Sequence, residues 1–197
     1  MKRWVAFLIG VISVVNVFAQ QFGGIPPAIK WKQINTDTAR IIYSTGSDSA
    51  AQRIATLIHQ IALLKPASLG NKLRKINIVL QNQTTIANGY VGLGPFRSEF
   101  YLTPDPNSFD QGSIPWPDQL ALHEYRHVMQ YNNFRNGLSK AMYYLFGEEG
   151  LLVANDASVP DWFFEGDAVS QETILSSQGR GRLPFFLNTY TSLWMKG

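Results

Sequence analysis

The sequence predicts an α+β fold: a mixed sheet with one packed helix comes first, and a mainly helical half follows. Three observations carry this. Residues 40–44 (RIIYS) and 75–81 (KINIVLQ) have the β-branched content and alternation of strands. Between them, Ala51, Ile54, Leu57, Ile58 and Ile61 recur at helical three-and-four spacing. After residue 117, two long stretches, 118–132 and 160–172, read as helices. With 45% hydrophobic and 16% charged residues, the 197-residue chain is too apolar for disorder and suits one globular domain.

Lys2 and Arg3 precede an apolar run, residues 4–19, broken only by Gly10, Ser13 and Asn16, with small side chains at Val17 and Ala19. This reads as a secretory signal; a run of about 16 falls short of the roughly 20 residues a spanning helix needs. A secreted or periplasmic protein with no stable membrane span after signal removal is therefore expected. Residues 20–30, with Gly23, Gly24, Pro26 and Pro27, read as a linker to the domain at 31–197. A helix opens at Ser47 or Asp48 and ends before Pro66. The strand at 75–81 follows, then another at 97–103 (RSEFYLT). The connection 104–117 leads into the helical half.

Composition excludes several functions. With no Cys there is no disulfide, no thiolate nucleophile and no Cys-based metal site, so any metal must be held by His, Asp or Glu. Seventeen basic residues against fourteen acidic give +3, and loss of Lys2 and Arg3 with the signal leaves +1. No basic cluster interleaved with aromatics points to nucleic acid; Lys72 to Lys75 reads as a solvated turn.

The chemistry lies in HEYRH. His123 and His127 are four residues apart on a helix that starts after Pro117, so both imidazoles project from one face at the spacing a single tetrahedral ion requires. Glu124, at the edge of that face, is placed to act on a metal-bound water without ligating the metal. This is the division of labour of an H-E-x-x-H site, two ligands and a general base. The third His, His59, lies beside Ile58 and Ile61 and reads as a packing or edge residue. A catalytic zinc takes three protein ligands, and no His remains downstream, so a carboxylate must be the third. The candidates are Glu148, Glu149, Asp156, Asp161, Glu165, Asp167 and Glu172. The stretch PDWFFEGDAVSQE singles out Glu165, in the first turns of a helix started by Pro160 and Asp161. Gly166 there implies close approach by another backbone. Glu172 follows two turns later on the same face, where it could accept the free ring N–H of a His ligand. Asp167 points to the opposite side.

HEYRHVMQ followed by PDWFFEGDAVSQE resembles a gluzincin zinc metallopeptidase of the peptidase MA-like group, in which H-E-x-x-H is followed by W-x-x-E-G-x-A. The matching positions are Trp162, Glu165, Gly166 and Ala168, and gluzincin aminopeptidases carry a further Glu where Glu172 stands. The resemblance implies a zincin-like fold and Zn2+ held by His123, His127 and Glu165. It also implies Glu124 as catalytic base, and hydrolysis of a peptide or protein substrate. Thirty-seven residues separate His127 from Glu165, more than in thermolysin or aminopeptidase N, so 133–160 reads as an inserted helical hairpin or lid. The family also implies that the strand before the active-site helix, 97–103, is a sheet edge along the cleft, with the Gly-rich stretch 88–95 as a mobile loop above it. An oxyanion donor from Tyr90, Tyr143, Tyr144 or Tyr190 is expected, with no choice among them. Relatives continue into β-propeller-like repeats, so a further C-terminal domain is an expected partner. Two other readings stand beside this one: a catalytically idle, zinc-stabilised interaction domain of a larger envelope protein, and a zinc hydrolase of non-peptide amides.

Overall fold

The computed structural model describes residues 25–64, 69–106 and 112–196. The stretch read as a signal, 1–19, and the first part of the expected linker lie outside them. Among the described residues, five strands and five helices follow one another as β1 (Trp31–Asn35), β2 (Ala39–Ser44), α1 (Asp48–Leu64), β3 (Ile76–Gln81), β4 (Gly89–Gly92), β5 (Arg97–Tyr101), α2 (Trp116–Asn133), α3 (Gly137–Ser158), α4 (Asp161–Leu175) and α5 (Asn188–Met195), with a 3-10 turn at Arg180–Arg182 before α5. The fold is α+β.

The strands form one mixed sheet in the order β1-β2-β3-β5-β4. β2 pairs parallel with β3, and β3 parallel with β5, while both edge strands run antiparallel to their neighbours. A parallel pair needs a crossover, and α1 supplies it between β2 and β3. The alternation of the sequence sets the inner face. Ala39, Ile41 and Tyr43 of β2 and Ile76, Ile78 and Leu80 of β3 are buried, and Phe100 of β5 pairs in register with Leu80. Ala51, Ile54, Ala55, Ile58, Ile61 and Ala62 of α1 form the facing stripe. Leu120, Ala121, Tyr125, Val128 and Met129 of α2 complete the core. Each large aliphatic side chain removed from water there contributes about 1.5–3 kcal/mol.

Two polar devices fix α2 against this core. At its start, Arg53 of α1 holds Asp118 with two hydrogen bonds, 3.0 and 2.8 Å. At its end, the Asn133 side chain treats the backbone of Lys72 as a strand partner would. It accepts from Lys72 N at 3.0 Å and donates to Lys72 O at 3.0 Å. Gly70 is required beside it, because an added Cβ would lie 2.6 Å from Asn133 Oδ1.

The structure departs from the sequence expectations in the sheet. β5 is an inner strand, flanked by β3 and β4, and does not form the edge. The stretch read as a mobile loop contains the edge strand itself, β4, whose Gly-rich sequence GYVG conceals its pairing with β5. Within 133–160, α3 is two helical segments broken at Gly147, where φ is 66°, and the second folds back on the first so closely that a Cβ on Gly150 would run into Met142 O, as a helical hairpin does. Beyond that break Glu148 turns back to the β4–β5 turn, accepting from Gly94 N at 3.0 Å and Phe96 N at 2.6 Å.

Candidate metal centre

The site forms where α2 crosses α4 beneath β4. Pro117 sits in the first turn of α2, where its missing N–H costs nothing, and the helix runs unbroken to Asn133. His123 and His127 therefore stand one turn apart, with their Nε2 atoms 3.3 Å from each other. Both point at the carboxylate of Glu165 from α4: His123 Nε2 lies 3.2 Å from Oε2 and His127 Nε2 lies 3.5 Å from Oε1. One ligand atom from each of the three falls within 4.8 Å of the others, a group able to hold a metal ion.

The opposite ring nitrogens are engaged by different chemistry. His123 Nδ1 is 3.3 Å from Glu172 Oε2, two turns along α4 from Glu165. Glu172 is completely buried and is gripped by Arg180, whose Nε and Nη2 donate at 2.8 and 2.9 Å and whose backbone N donates at 3.0 Å. The Nη2 of Arg180 also lies 2.7 Å from His123 Nδ1. His127 Nδ1 instead donates to Gln130 Oε1 at 2.8 Å. Gln130 Nε2 donates to Asp167 Oδ2 at 2.8 Å, and Asp167 takes two hydrogen bonds from the buried Arg126, 2.6 and 2.7 Å. With each Nδ1 occupied, Nε2 is the nitrogen each ring presents to the gap, and two imidazoles with one carboxylate fit a borderline cation better than one that demands oxygen alone.

Electrostatics follow from this packing. Burial pulls the His123 imidazole down, but its hydrogen bonds with Glu165 and Glu172 outweigh that and raise it to about 9. Burial and the charge on His123 push His127 down. Glu172 is driven up by burial and, more strongly, down by His123 and Arg180, to about 2. Glu165 is held below the usual carboxylate range by its bond to His123. Glu124 differs: burial lifts it to about 7, against the charges of His123 and Arg180.

Glu124 does not join the cluster of three. It lines the same cleft, an opening of about 430 Å³ walled by β4, α2, α4 and the 3-10 turn. β4 approaches because Gly89 has no side chain. A Cβ there would meet Leu120 Cδ2 at 2.8 Å and Glu124 Oε1 at 2.9 Å.

Several residues fall elsewhere than the sequence implied. Gly166 faces open space, with nothing within 4 Å of an added Cβ, so no backbone crosses there. Of the four tyrosines considered for the oxyanion, Tyr90 alone lines the cleft, and its hydroxyl is bonded to Glu99 at 2.5 Å and to Arg97 at 3.2 Å. Tyr131, one turn beyond His127, also lines the cleft. His59 is an exposed residue on α1. Gln130 and Arg180 were not anticipated. Gln130 follows His127 by three residues and could have been read from that spacing, whereas Arg180 sits in a Gly-rich turn that carries no periodic signal. No family model matches the chain, and no curated protein or solved structure does.

Proposed function

We propose that the protein is a zinc-dependent metallopeptidase of gluzincin type with a zincin-like fold, secreted or periplasmic, acting on peptide or protein substrates. The observation that carries this reading is the convergence of His123 Nε2, His127 Nε2 and the Glu165 carboxylate in a cleft that also holds Glu124. When bound there, a zinc ion supplies Lewis-acid chemistry, polarising a carbonyl and acidifying a water.

The chain's own residues do the rest. Glu124 takes a proton on its carboxylate from the attacking water and returns it to the leaving amine. A cation beside it favours the ionised, basic form. Glu172 and Gln130 hold the two rings so that Nε2 faces inward. β4, the edge strand above Glu124, offers its free backbone to an extended peptide, which assigns to β4 the pairing role expected of residues 97–103. Tyr131 lines the wall of the cleft.

The test is metal content beside hydrolysis of a peptide library, for the wild type, Glu165→Gln and Glu124→Gln. The wild type should carry near-stoichiometric zinc and cleave peptides. Glu165→Gln should lose the metal, and Glu124→Gln should keep it while hydrolysis falls by about a hundredfold or more. An active Glu124→Gln protein refutes the mechanism, and a wild type without metal refutes the class. Metal without cleavage by the wild type would instead support an idle zinc-stabilised domain.

A further inference from the structure

The first half of α3, residues 137–146, places no side chain in the core described above. It ends at the positive-φ Gly147, beyond which the chain is tied down by Glu148. Leu138, Tyr144, Leu145 and Phe146 are between 63% and 72% exposed. A helix of ten residues is marginal in water on its own, and this one turns its apolar side chains outward. Trp162 and Phe163, at the start of α4, extend that surface: Phe163 packs against Phe134 with ring centroids 6.2 Å apart and against Trp162 at 6.1 Å. Trp162 is 73% exposed.

The charge on this face has one sign. Residues 134–147 include Arg135 and Lys140 and no acidic residue. Both cations lie over aromatic rings of the same helix, Arg135 Cζ at 4.4 Å from the Tyr143 centroid and Lys140 Nζ at 6.0 Å from that of Tyr144. The acids on either side are turned elsewhere: Glu148 and Glu149 to the β4–β5 turn, where both approach Gly94, and Asp161 to the wall of the cleft.

We propose that residues 134–147, with Trp162 and Phe163, form a surface that seats on an anionic lipid bilayer. Apolar and aromatic side chains fringed by cations match the boundary between acyl chains and negatively charged headgroups. A second copy of the chain is a poorer occupant, because a two-fold contact through this face would bring Arg135 and Lys140 towards their own counterparts. Each basic residue near such a membrane strengthens attachment, so the surface depends on both its charge and its apolar stripe. This inference does not rest on the metal centre.

The chain has no Cys, so a single Leu145→Cys variant of the full chain, labelled with an environment-sensitive fluorophore, reports on this face separately from residues 1–19. Vesicles of equimolar phosphatidylglycerol and phosphatidylcholine should raise its emission severalfold and shift it to the blue. Vesicles of phosphatidylcholine alone should not, and a label at Gln52→Cys on α1 should stay silent with both. Adding Arg135→Glu and Lys140→Glu should abolish the response at 145, with unchanged far-UV circular dichroism. Three results overturn the proposal: silence at 145 while the protein sediments with anionic vesicles, an equal response to both vesicle types, or a blue shift without lipid that grows with protein concentration and marks self-association.

Discussion

Glu124 and Glu165 are both carboxylates beside the same two imidazoles, and their surroundings separate their work. Glu165 stands opposite both Nε2 atoms and is held ionised by its bond to His123, as a ligand requires. Glu124 is buried without entering the ligand group, and burial raises its carboxyl to about 7. Glu172 has a third environment, wholly buried and triply bonded to Arg180. Replacing Glu172 with Gln removes the charge that orients His123 and should weaken metal affinity by about 10–100-fold, read by chelator competition. An unchanged affinity would mean that Arg180 and helix packing alone position the ring.

At the scale of elements, the approach of β4 to α2 depends on Gly89. In Gly89→Ala the new methyl meets Leu120 and the Glu124 carboxylate below 3 Å, so one of the two must move. Hydrolysis should fall by about tenfold or more with metal content intact, measured on the same preparation. The next residue, Tyr90, bonds Glu99, which also takes hydrogen bonds from Arg97 and Gln81. Burial pushes the Glu99 carboxyl up, but those bonds outweigh it and leave it below 4.5. A lowered folded pKa contributes stability that is fully present above the unfolded value and lost as pH falls through the folded one. Below about pH 4.5 the wild type should therefore lose stability faster than Glu99→Gln, and the two denaturation midpoints should converge as the solution is acidified. Parallel curves would remove Glu99 from the acid response.

How much of this was legible differs by element. Helix α2, which carries HEYRH, and α1 were readable because helical spacing and Pro117 act locally. Strands β2 and β3 were readable from their buried alternation. β1 was missed because WKQIN buries no side chain and so has no apolar pattern, and β4 because GYVG gains its pairing from β5 rather than from propensity. The edge at residues 97–103 is what the family resemblance implies, yet β4, which precedes β5 in the chain, lies outside it. Within the site, HEYRH and the seven-residue step from Glu165 to Glu172 are local patterns. Arg180 reaches His123 across fifty-seven positions of sequence, which no local pattern encodes.

For the molecule as a whole, the candidate metal centre would tie α4 to α2, the helix packed in the core, since His123 and His127 belong to α2 and Glu165 to α4. An ion bound by the folded chain alone stabilises it by mass action, about 4 kcal/mol at a thousand times the dissociation constant. Zinc should therefore raise the thermal midpoint of the wild type and leave that of Glu165→Gln unmoved, as followed by calorimetry; equal shifts would place the stabilising ion elsewhere. The two histidines and the carboxylate differ in one further respect. Their side chains are 11% exposed on each ring but 62% on Glu165. An incoming chelator meets the carboxylate first, so exchange of the ion should begin with release of Glu165 while both imidazoles still hold. The off-rate should then rise with chelator concentration rather than wait on spontaneous dissociation, so that a centre of high affinity would still be kinetically labile.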